Sequence, residues 1–144
     1  MKNENNLTSS EVGQIIDRIV SKSNTSDDLD KIISYFYYAR DLSSLGKLLD
    51  SEDDDIIGDA IYILSEIGKS GTPLREKAKT FLNHPDVQIR YWAMNSVVSC
   101  YERKSAKDLV VSAGLLNDPD EFVRTRAHEM ISVGMGRQFQ GRDT

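Results

Sequence analysis

The sequence has little of what most catalytic and disulfide-stabilised sites are built from. Its 144 residues include one cysteine, two histidines, three prolines and one tryptophan. A single cysteine excludes an intrachain disulfide, which fits a reducing compartment. No apolar run is long enough to cross a membrane, and the polar N-terminus lacks the apolar core of a signal peptide. The sequence therefore predicts a cytoplasmic protein with no membrane segment.

An excess of positive charge is also absent. The formal net charge is −5 and the isoelectric point is about 5.0. A general nucleic-acid binder needs a basic footprint, so the composition argues against a nucleic-acid partner. The charge is uneven, since residues 1–72 carry 7 Lys/Arg against 14 Asp/Glu and residues 73–144 carry 11 against 9. An acidic half suggests a basic partner, although a solvated surface also produces such an asymmetry.

The sequence contains no recognisable set of catalytic residues. Nucleophilic catalysis needs a nucleophile, a base and an orienting group that converge, and the candidates are limited to His84, His128 and Cys100. Cys100 falls on the apolar stripe of its predicted helix and is interpreted as a packed thiol. His84 precedes a proline in a turn and is expected to be exposed. Neither histidine has metal-ligand spacing, so the sequence predicts no enzyme, no metal and no cofactor.

Two short motifs resemble ligand-binding loops but have the wrong spacing. The segment "IGKS" at 67–70 resembles the end of a phosphate loop, yet Ile63 stands where that motif needs its first glycine. The segment "DSEDDD" at 50–55 resembles a calcium loop, but it lacks the glycine and glutamate at the sixth and twelfth positions. Favourable interaction with a helix dipole accounts for one or two of these acids and leaves the others unexplained.

One residue pattern occurs three times along the chain. The stretch "LNHPDVQIRYWAMNSVV" begins at Leu82, "LNDPDEFVRTRAHEMIS" begins at Leu116, and a weaker copy begins at Leu49. The copies are 33 and 34 residues apart, a period that is typical of solenoids built from helical hairpins. The equivalent positions are Asp53, Asp86 and Asp120; Ile56, Ile89 and Val123; Ala60, Ala93 and Ala127; Leu64, Val97 and Ile131.

The pattern predicts one all-α domain with eight helices. Apolar residues at Ile56, Ala60, Leu64 and Ile67 place one face of the second helix of a pair toward the core. We assign the β-prone run "IISYFYYA" to a helix because it lies between two helical segments. The predicted units are an N-terminal capping hairpin over 8–40, repeats over 41–68, 72–100 and 105–134, and a flexible tail over 135–144.

Residues that start and stop helices support these boundaries. Thr8 opens a capping box with Glu11. Thr72-Pro73 and Asp118-Pro119 are each interpreted as an N-cap followed by the first helical residue. Gly68 and Gly134 are placed where helices should end.

The repeated pattern resembles a HEAT repeat, especially the short bacterial type named for phycobilisome lyases. The residues that carry the resemblance are Pro85, Asp86, Ile89, Arg90, Ala93 and Val97, with Pro119, Asp120, Val123, Arg124, Ala127 and Ile131. The resemblance covers residues 41–134 and implies an α-solenoid of about four helical hairpins. It also implies that the repeat aspartates cap the second helices and that the repeat arginines reach a neighbouring repeat. The first copy departs from the pattern, with Glu52 in place of the proline and Ile57 in place of the arginine.

The second helices carry a candidate binding face beside their apolar stripe. Its residues are Asp55, Asp59, Tyr62 and Glu66, then Gln88, Trp92, Asn95 and Ser99, then Phe122, Arg126, Glu129 and Val133. Second helices line the concave side of an α-solenoid, where acids and aromatics together are typical of an interface. The predicted partner-binding residues are Asp53, Asp54, Asp55, Asp59, Tyr62, Glu66, Trp92 and Asn95. Alternatively, Trp92 packs between repeats and the acids are merely solvated.

Repeats of this type usually bind proteins, which leaves three functional hypotheses. The first is a non-enzymatic protein that binds and inhibits a basic partner. Its concrete form resembles a bacterial immunity protein, a small acidic cytoplasmic protein that neutralises a cationic nuclease toxin. The second follows from related repeat proteins that bind tetrapyrroles or damaged DNA, and is a lyase or base glycosylase. The third is a general scaffold or adaptor.

Overall fold

The computed structural model describes residues 7–99 and 113–142, with side chains to residue 132 in the last helix. Within these residues the fold is all-helical and has no strand. The helices are α1 (Ser9–Val20), α2 (Ser26–Tyr38), α3 (Ser43–Leu49), α4 (Asp54–Glu66), α5 (Arg75–Lys79), α6 (Val87–Ser99) and α7 (Glu121–Arg142). Two 3-10 segments, Gly68–Leu74 and Gly114–Asn117, precede α5 and the start of α7.

The first two helices begin at capping boxes, and both fall where the sequence predicts helices. Thr8 accepts a hydrogen bond from the backbone of Glu11, whose side chain accepts from the backbone of Thr8. Thr25 and Asp28 repeat this arrangement at the start of α2. All of the β-prone run except its last residue, Ala39, lies inside α2, so its assignment to a helix is confirmed.

The core forms where the repeated pattern places apolar residues. Ile56, Ala60, Leu64 and Ile67 are at most 7% exposed, as their common helical face predicts. Helix α4 makes its most extensive contact with α6, which also packs on α5 and α7. Five of the six equivalent stripe residues of α6 and α7 are also buried, namely Ile89, Ala93, Val97, Val123 and Ala127, whereas Ile131 is only half-buried. Cys100, which the sequence places on this stripe, lies outside the described residues.

The second and third copies share one pattern of polar contacts, 34 residues apart. Asp86 Oδ1 accepts hydrogen bonds from the first backbone N–H groups of α6, and Asp120 Oδ1 does the same for α7. Arg90 Nη1 donates to the carbonyl oxygens of residues 84 and 85 at 2.9 and 3.0 Å. Arg124 Nη1 donates to the carbonyl oxygens of residues 118 and 119 at 2.7 and 3.0 Å. The capping role expected of both aspartates is confirmed.

A buried ion pair joins these two copies. Arg90 Nε and Nη2 donate to the two carboxylate oxygens of Asp118 at 2.8 and 3.0 Å. The side chains of Arg90 and Asp118 are 14% and 4% exposed. The expectation that Arg90 reaches the next copy is therefore confirmed. In the first copy the equivalent residue is Ile57, which is buried and has no hydrogen-bond donor on its side chain, so this copy lacks the contact.

Three predicted helix boundaries are wrong. Thr72 does not cap a helix, because its hydroxyl donates to the carbonyl oxygen of Lys69 within a 3-10 segment that contains Pro73. Two glycines and a proline in this short segment favour tight turns over an α-helix. Asp118 is not the N-cap of α7, because the helix begins at Glu121 and is capped by Asp120, while the Asp118 carboxylate accepts from Arg90 and from the backbone N–H of Asp120. Helix α7 continues past Gly134 to Arg142, through most of the predicted tail.

The helix end predicted at Gly68 is confirmed, whereas one predicted helix is mostly outside the described residues. Gly68 follows the last turn of α4 with a φ of 57°, the left-handed conformation that commonly ends a helix, and this prediction is confirmed. Most of the predicted first helix of the 105–134 repeat lies outside the described residues. In its described end, Gly114–Asn117 forms a 3-10 segment. Within the described residues no helix has the length and apolar character needed to cross a bilayer.

The first hairpin contains an ion pair that makes stability depend on acid pH. Arg18 Nε and Nη2 donate to the carboxylate of Asp28 at 2.9 and 2.8 Å. These bonds, with the backbone N–H of Thr25, lower the pKa of Asp28 from 3.8 to about 2. Since the folded pKa lies below the unfolded one, the pair stabilises the fold above pH 4, and this contribution is lost as the pH falls toward 2.

Replacing Asp28 with asparagine should remove this pH dependence. We expect the Tm of Asp28→Asn to change less between pH 4 and pH 2 than that of the wild type, as measured by circular dichroism. Asp17→Asn, at an exposed carboxylate of α1, is the control and should retain the wild-type slope. Parallel Tm curves for Asp28→Asn and the wild type would contradict the assignment.

Candidate functional site

The N-terminus of α4 concentrates aspartates. Asp53 is the N-cap, and its Oδ1 accepts the backbone N–H of Asp55 at 2.9 Å. Asp54 and Asp55 occupy the first turn, where negative charge interacts favourably with the helix dipole. Asp59 lies beyond that turn, where the dipole effect has faded. Helix capping and the dipole therefore account for three of these carboxylates and leave Asp59 without a role in the helix.

The N-terminus of α6 lies beside the same acids. The backbone N–H of Asp86 donates to His84 Nδ1 at 2.9 Å, so the neutral imidazole carries its proton on Nε2. Nε2 lies 3.2 Å from Asp54 Oδ1 and connects the two helix N-termini. The His84 side chain is 16% exposed. The expectation that His84 is exposed is wrong, because the turn folds the imidazole against α4.

Lys22 enters the site from the end of α1 in an unusual backbone conformation. Its φ is 59°, the left-handed region in which glycine is favoured. The N–H of Lys22 donates to the carbonyl of Ile19, and the N–H of Ser23 donates to the carbonyl of Arg18. These two bonds form a Schellman motif, which usually has glycine at the position of Lys22. Backbone geometry alone therefore does not explain the lysine.

The side chain of Lys22 gives that explanation. Its Nζ lies 2.6 Å from Asp53 Oδ2 and 3.3 Å from Asp55 Oδ2. Hydrogen bonding to Asp53 and then to Asp55 raises the pKa of Lys22, and the same bond lowers the pKa of Asp53. Lys22 is thus a counter-ion for the acids at the start of α4.

Two substitutions of Lys22 should separate the effect of its left-handed backbone on stability from the effect of its charge. Lys22→Gly loses the ion pairs but relaxes the left-handed residue, so we expect a Tm close to that of the wild type. Lys22→Ala loses the same ion pairs and keeps the strained φ, so its Tm should be about 3 °C lower than that of Lys22→Gly. In both variants NMR titration should show the pKa of Asp53 rising toward its ordinary value. Equal Tm values for the two variants would contradict the backbone assignment.

These groups surround a cavity of about 380 Å³ between the first hairpin and helices α4 and α6. Its lining residues are Ile19, Lys22, Asn24, Asp54, Asp55, Gly58, Asp59, Tyr62, Asp86, Gln88, Ile89 and Trp92. Four of them are aspartates and one is a lysine, so the cavity is acidic. A Cβ atom at Gly58 would meet nothing within 4 Å, which means that the missing side chain leaves space in the cavity wall.

Burial changes the electrostatics inside the cavity. Desolvation raises the pKa of Asp59, and the charge of Asp55 adds to this, while a hydrogen bond from Asn24 opposes it. Desolvation also raises the pKa of Tyr62, with contributions from the charges of Glu66 and Asp30. Asp59 has lost part of its contact with water, and a cation that enters the cavity compensates for this loss. The reduced local dielectric strengthens the attraction between the cation and Asp59.

An aromatic cluster forms one edge of the cavity. The ring of Trp92 lies 4.9 Å from that of Tyr62 and 5.0 Å from that of Tyr91, edge to face in both pairs. Trp92 is partly buried against the core and also lines the cavity. The two interpretations of Trp92, core packing and surface, therefore both describe part of its environment.

Five of the eight predicted partner-binding residues meet in the cavity, namely Asp54, Asp55, Asp59, Tyr62 and Trp92. Asp53 caps α4 and does not line the cavity. Glu66 is exposed near the end of α4, outside the cavity lining. Asn95 is 8% exposed, and its Oδ1 accepts from Arg126 Nε at 3.1 Å. The placement of Asn95 on an open binding face is therefore wrong, because α7 covers it.

Comparisons with protein-family models, curated proteins and solved structures find no match for this chain. The HEAT-like resemblance stays a prediction, and the geometry of the site is the basis for the functional inference. In the part of the chain that the structure describes, no group of three or more His, Cys, Asp or Glu side chains is arranged to hold a metal ion.

Sequence reasoning missed three polar contributors to the cavity. Lys22 and Asn24 come from the α1–α2 turn, outside the repeats, and Asp86 was assigned only a capping role. No feature of the sequence marks Lys22, since about half of helices or more end without a left-handed glycine, and its φ of 59° is seen only in the structure. The repeat pattern carries no information on the packing of the first hairpin against α4, so Asn24 had no signal of its own.

Proposed function

We propose that this protein is a non-enzymatic binding module whose acidic cavity receives a cationic side chain of a basic protein partner. The observation that carries the proposal is the convergence of Asp54, Asp55, Asp59 and Asp86 on one concave site with Lys22 as the counter-ion. Self-repulsion among these carboxylates is relieved when a partner supplies positive charge.

We also infer that the all-α fold is a helical-repeat scaffold of the α-solenoid type. The capping and arginine contacts recur 34 residues apart, and Arg90 joins neighbouring copies as the HEAT resemblance implies. Stacked second helices bring the N-termini of α4 and α6 together, which is how a solenoid builds a continuous binding surface. On this scaffold, three of the four aspartates (Asp54, Asp55 and Asp59) come from the copy that departs most from the repeat pattern, and Asp86 comes from the second copy.

The most concrete form of the proposal is a cytoplasmic immunity protein that neutralises a cationic bacterial toxin, such as a nuclease. A nuclease active site presents basic residues to its nucleic-acid substrate, and an acidic surface competes for the same residues. The net charge of −5 and the acidic N-terminal half support this class of partner. Association is expected to be fast and to weaken as salt is added.

The test begins with the protein encoded next to this chain in its genome. We expect that protein, or a domain of it, to be basic, to co-purify with this chain at low salt and to lose its toxic activity at a one-to-one molar ratio. Binding would be measured by calorimetry at two salt concentrations, and inhibition would be measured by cell survival and by nucleic-acid cleavage. If the partner binds but its activity is unaffected, the immunity form is wrong and a scaffold role is favoured.

A further inference from the structure

The first turn of α7 exposes an aromatic side chain. Phe122 is 80% exposed, more than Val20, Tyr37 or Tyr38, the other exposed large apolar residues in the described part of the chain. A single exposed apolar residue is common on protein surfaces and needs no function by itself. Phe122 differs because it forms one wall of a groove.

This groove lies between α6 and α7 and has a volume of about 470 Å³. Its apolar lining consists of Val87, Tyr91, Trp92, Phe122 and Val123. Val123 is fully buried, so the floor of the groove is continuous with the core. An apolar side chain placed here would remove the ring of Phe122 from water, a favourable change that the free protein does not obtain.

The groove adjoins the acidic cavity. Gln88 and Trp92 line both, so a single bound segment can contact the two sites. The aspartates on one side of Trp92 select positive charge, and the apolar lining on the other side selects an apolar or aromatic side chain. Aromatic residues with neighbouring charges are typical of the residues that dominate interface energies.

We propose that the groove binds an apolar or aromatic side chain of the partner, which lies next to the Lys or Arg that enters the acidic cavity. This inference rests on the proposed function and specifies the partner's contacting segment. A second copy of this chain fits the surface poorly, because a two-fold contact through the groove would bring two acidic cavities toward each other.

The experiment selects peptides from a random dodecapeptide phage library on the immobilised full chain at about 50 mM salt. A library covers every spacing between the cation and the apolar residue. Selected peptides are synthesised and titrated, with emission from the single tryptophan, Trp92, as the readout. We expect them to combine a Lys or Arg with a nearby apolar residue.

Substitutions then assign each part of the peptide. Phe122→Ala should weaken binding about tenfold, while Tyr38→Ala, at an exposed aromatic that lines neither cavity, should not change it. Replacing the apolar peptide residue with alanine should cost about tenfold in the wild type and almost nothing further in Phe122→Ala. Since Phe122 is exposed, circular dichroism should show an unchanged fold.

The outcomes distinguish this inference from the proposed function. Basic peptides that bind the wild type and Phe122→Ala equally would overturn the groove and leave the acidic cavity supported. If the selected peptides are neutral and apolar, and if reversing the charge of Asp59 does not change their affinity, the groove is supported and the proposed function is contradicted. If the library yields no binder, the groove is not a partner site. The same conclusion follows if sedimentation shows that the wild type is a dimer and that Phe122→Ala is not.

Discussion

Replacing Arg90 with leucine is expected to lower the free energy of unfolding by about 3 kcal/mol, measured by urea denaturation at pH 7. Arg90 donates both arms of a bidentate pair to Asp118, and both side chains are largely buried. Removing the arginine leaves the Asp118 carboxylate without its charged partner, and this uncompensated charge is the main cost. For a domain of this size the Tm should fall by about 10 °C.

Arg124→Leu is the matched control. Arg124 makes the same two hydrogen bonds to backbone carbonyls one copy later, so both variants lose that contribution. Only Arg90 also forms the bidentate pair with Asp118. We expect Arg124→Leu to cost about 1 kcal/mol, so the difference between the variants isolates the ion pair. Equal costs would show that the link between the copies adds no stability beyond the carbonyl contacts.

The pH dependence gives a second, independent check on Arg90. Burial raises the pKa of Asp118, but the bonds from Arg90 and from the backbone of Asp120 outweigh it, so the pKa lies below its ordinary value of 3.8. In the wild type this carboxylate stabilises the fold above that pH, and the contribution is lost in acid. Without Arg90, burial has the larger effect, and the pKa of Asp118 rises. The stability gap between Arg90→Leu and the wild type should therefore narrow as the pH falls from 7 to 4.

Reversing the charge of Asp54, Asp55 and Asp59 to lysine should weaken binding of a basic partner about a hundredfold at low salt, or ~2.7 kcal/mol. All three carboxylates line the cavity, and Asp59 is partly desolvated, which strengthens its interaction with a bound cation. Asp54 and Asp55 are exposed, so most of the affinity lost by reversing their charge should come from a lower association rate. This loss should become smaller as salt is added. Surface plasmon resonance at two salt concentrations separates these contributions.

The control reverses three exposed acids that do not line the cavity, Asp17, Asp27 and Glu76. Both triple variants change the net charge equally, so a site-specific effect appears as the difference between them. Similar affinities for the two variants would mean that overall charge, not the cavity, attracts the partner. Gly58→Leu adds a test of shape, since it fills the cavity without altering a charge, and it should also reduce binding.

The sequence by itself predicted the helices that carry the repeat and the residues that bury their core faces. Periodic apolar positions such as Ala60, Ala93 and Ala127 determine which side of a helix packs, because helix geometry fixes that side without reference to the rest of the fold. The capping roles of Asp86 and Asp120 are implied by the HEAT resemblance and are confirmed. The local Asp-Pro and Thr-Pro signals instead indicate Asp118 and Thr72, and both are wrong. The helix after Asp118 is capped by Asp120, and the glycines and proline around Thr72 favour a 3-10 turn.

The candidate site depended on tertiary structure. The sequence identified the acids of α4 and Trp92 as departures from the repeat, but it could not bring Lys22 to Asp53 and Asp55 or His84 to Asp54. It also placed Asn95 on an open surface that Arg126 in fact covers. These contacts join segments about thirty residues apart, and neither helical period nor capping constrains them. The order of the helices is encoded locally, whereas the cavity exists only after the hairpins pack against one another.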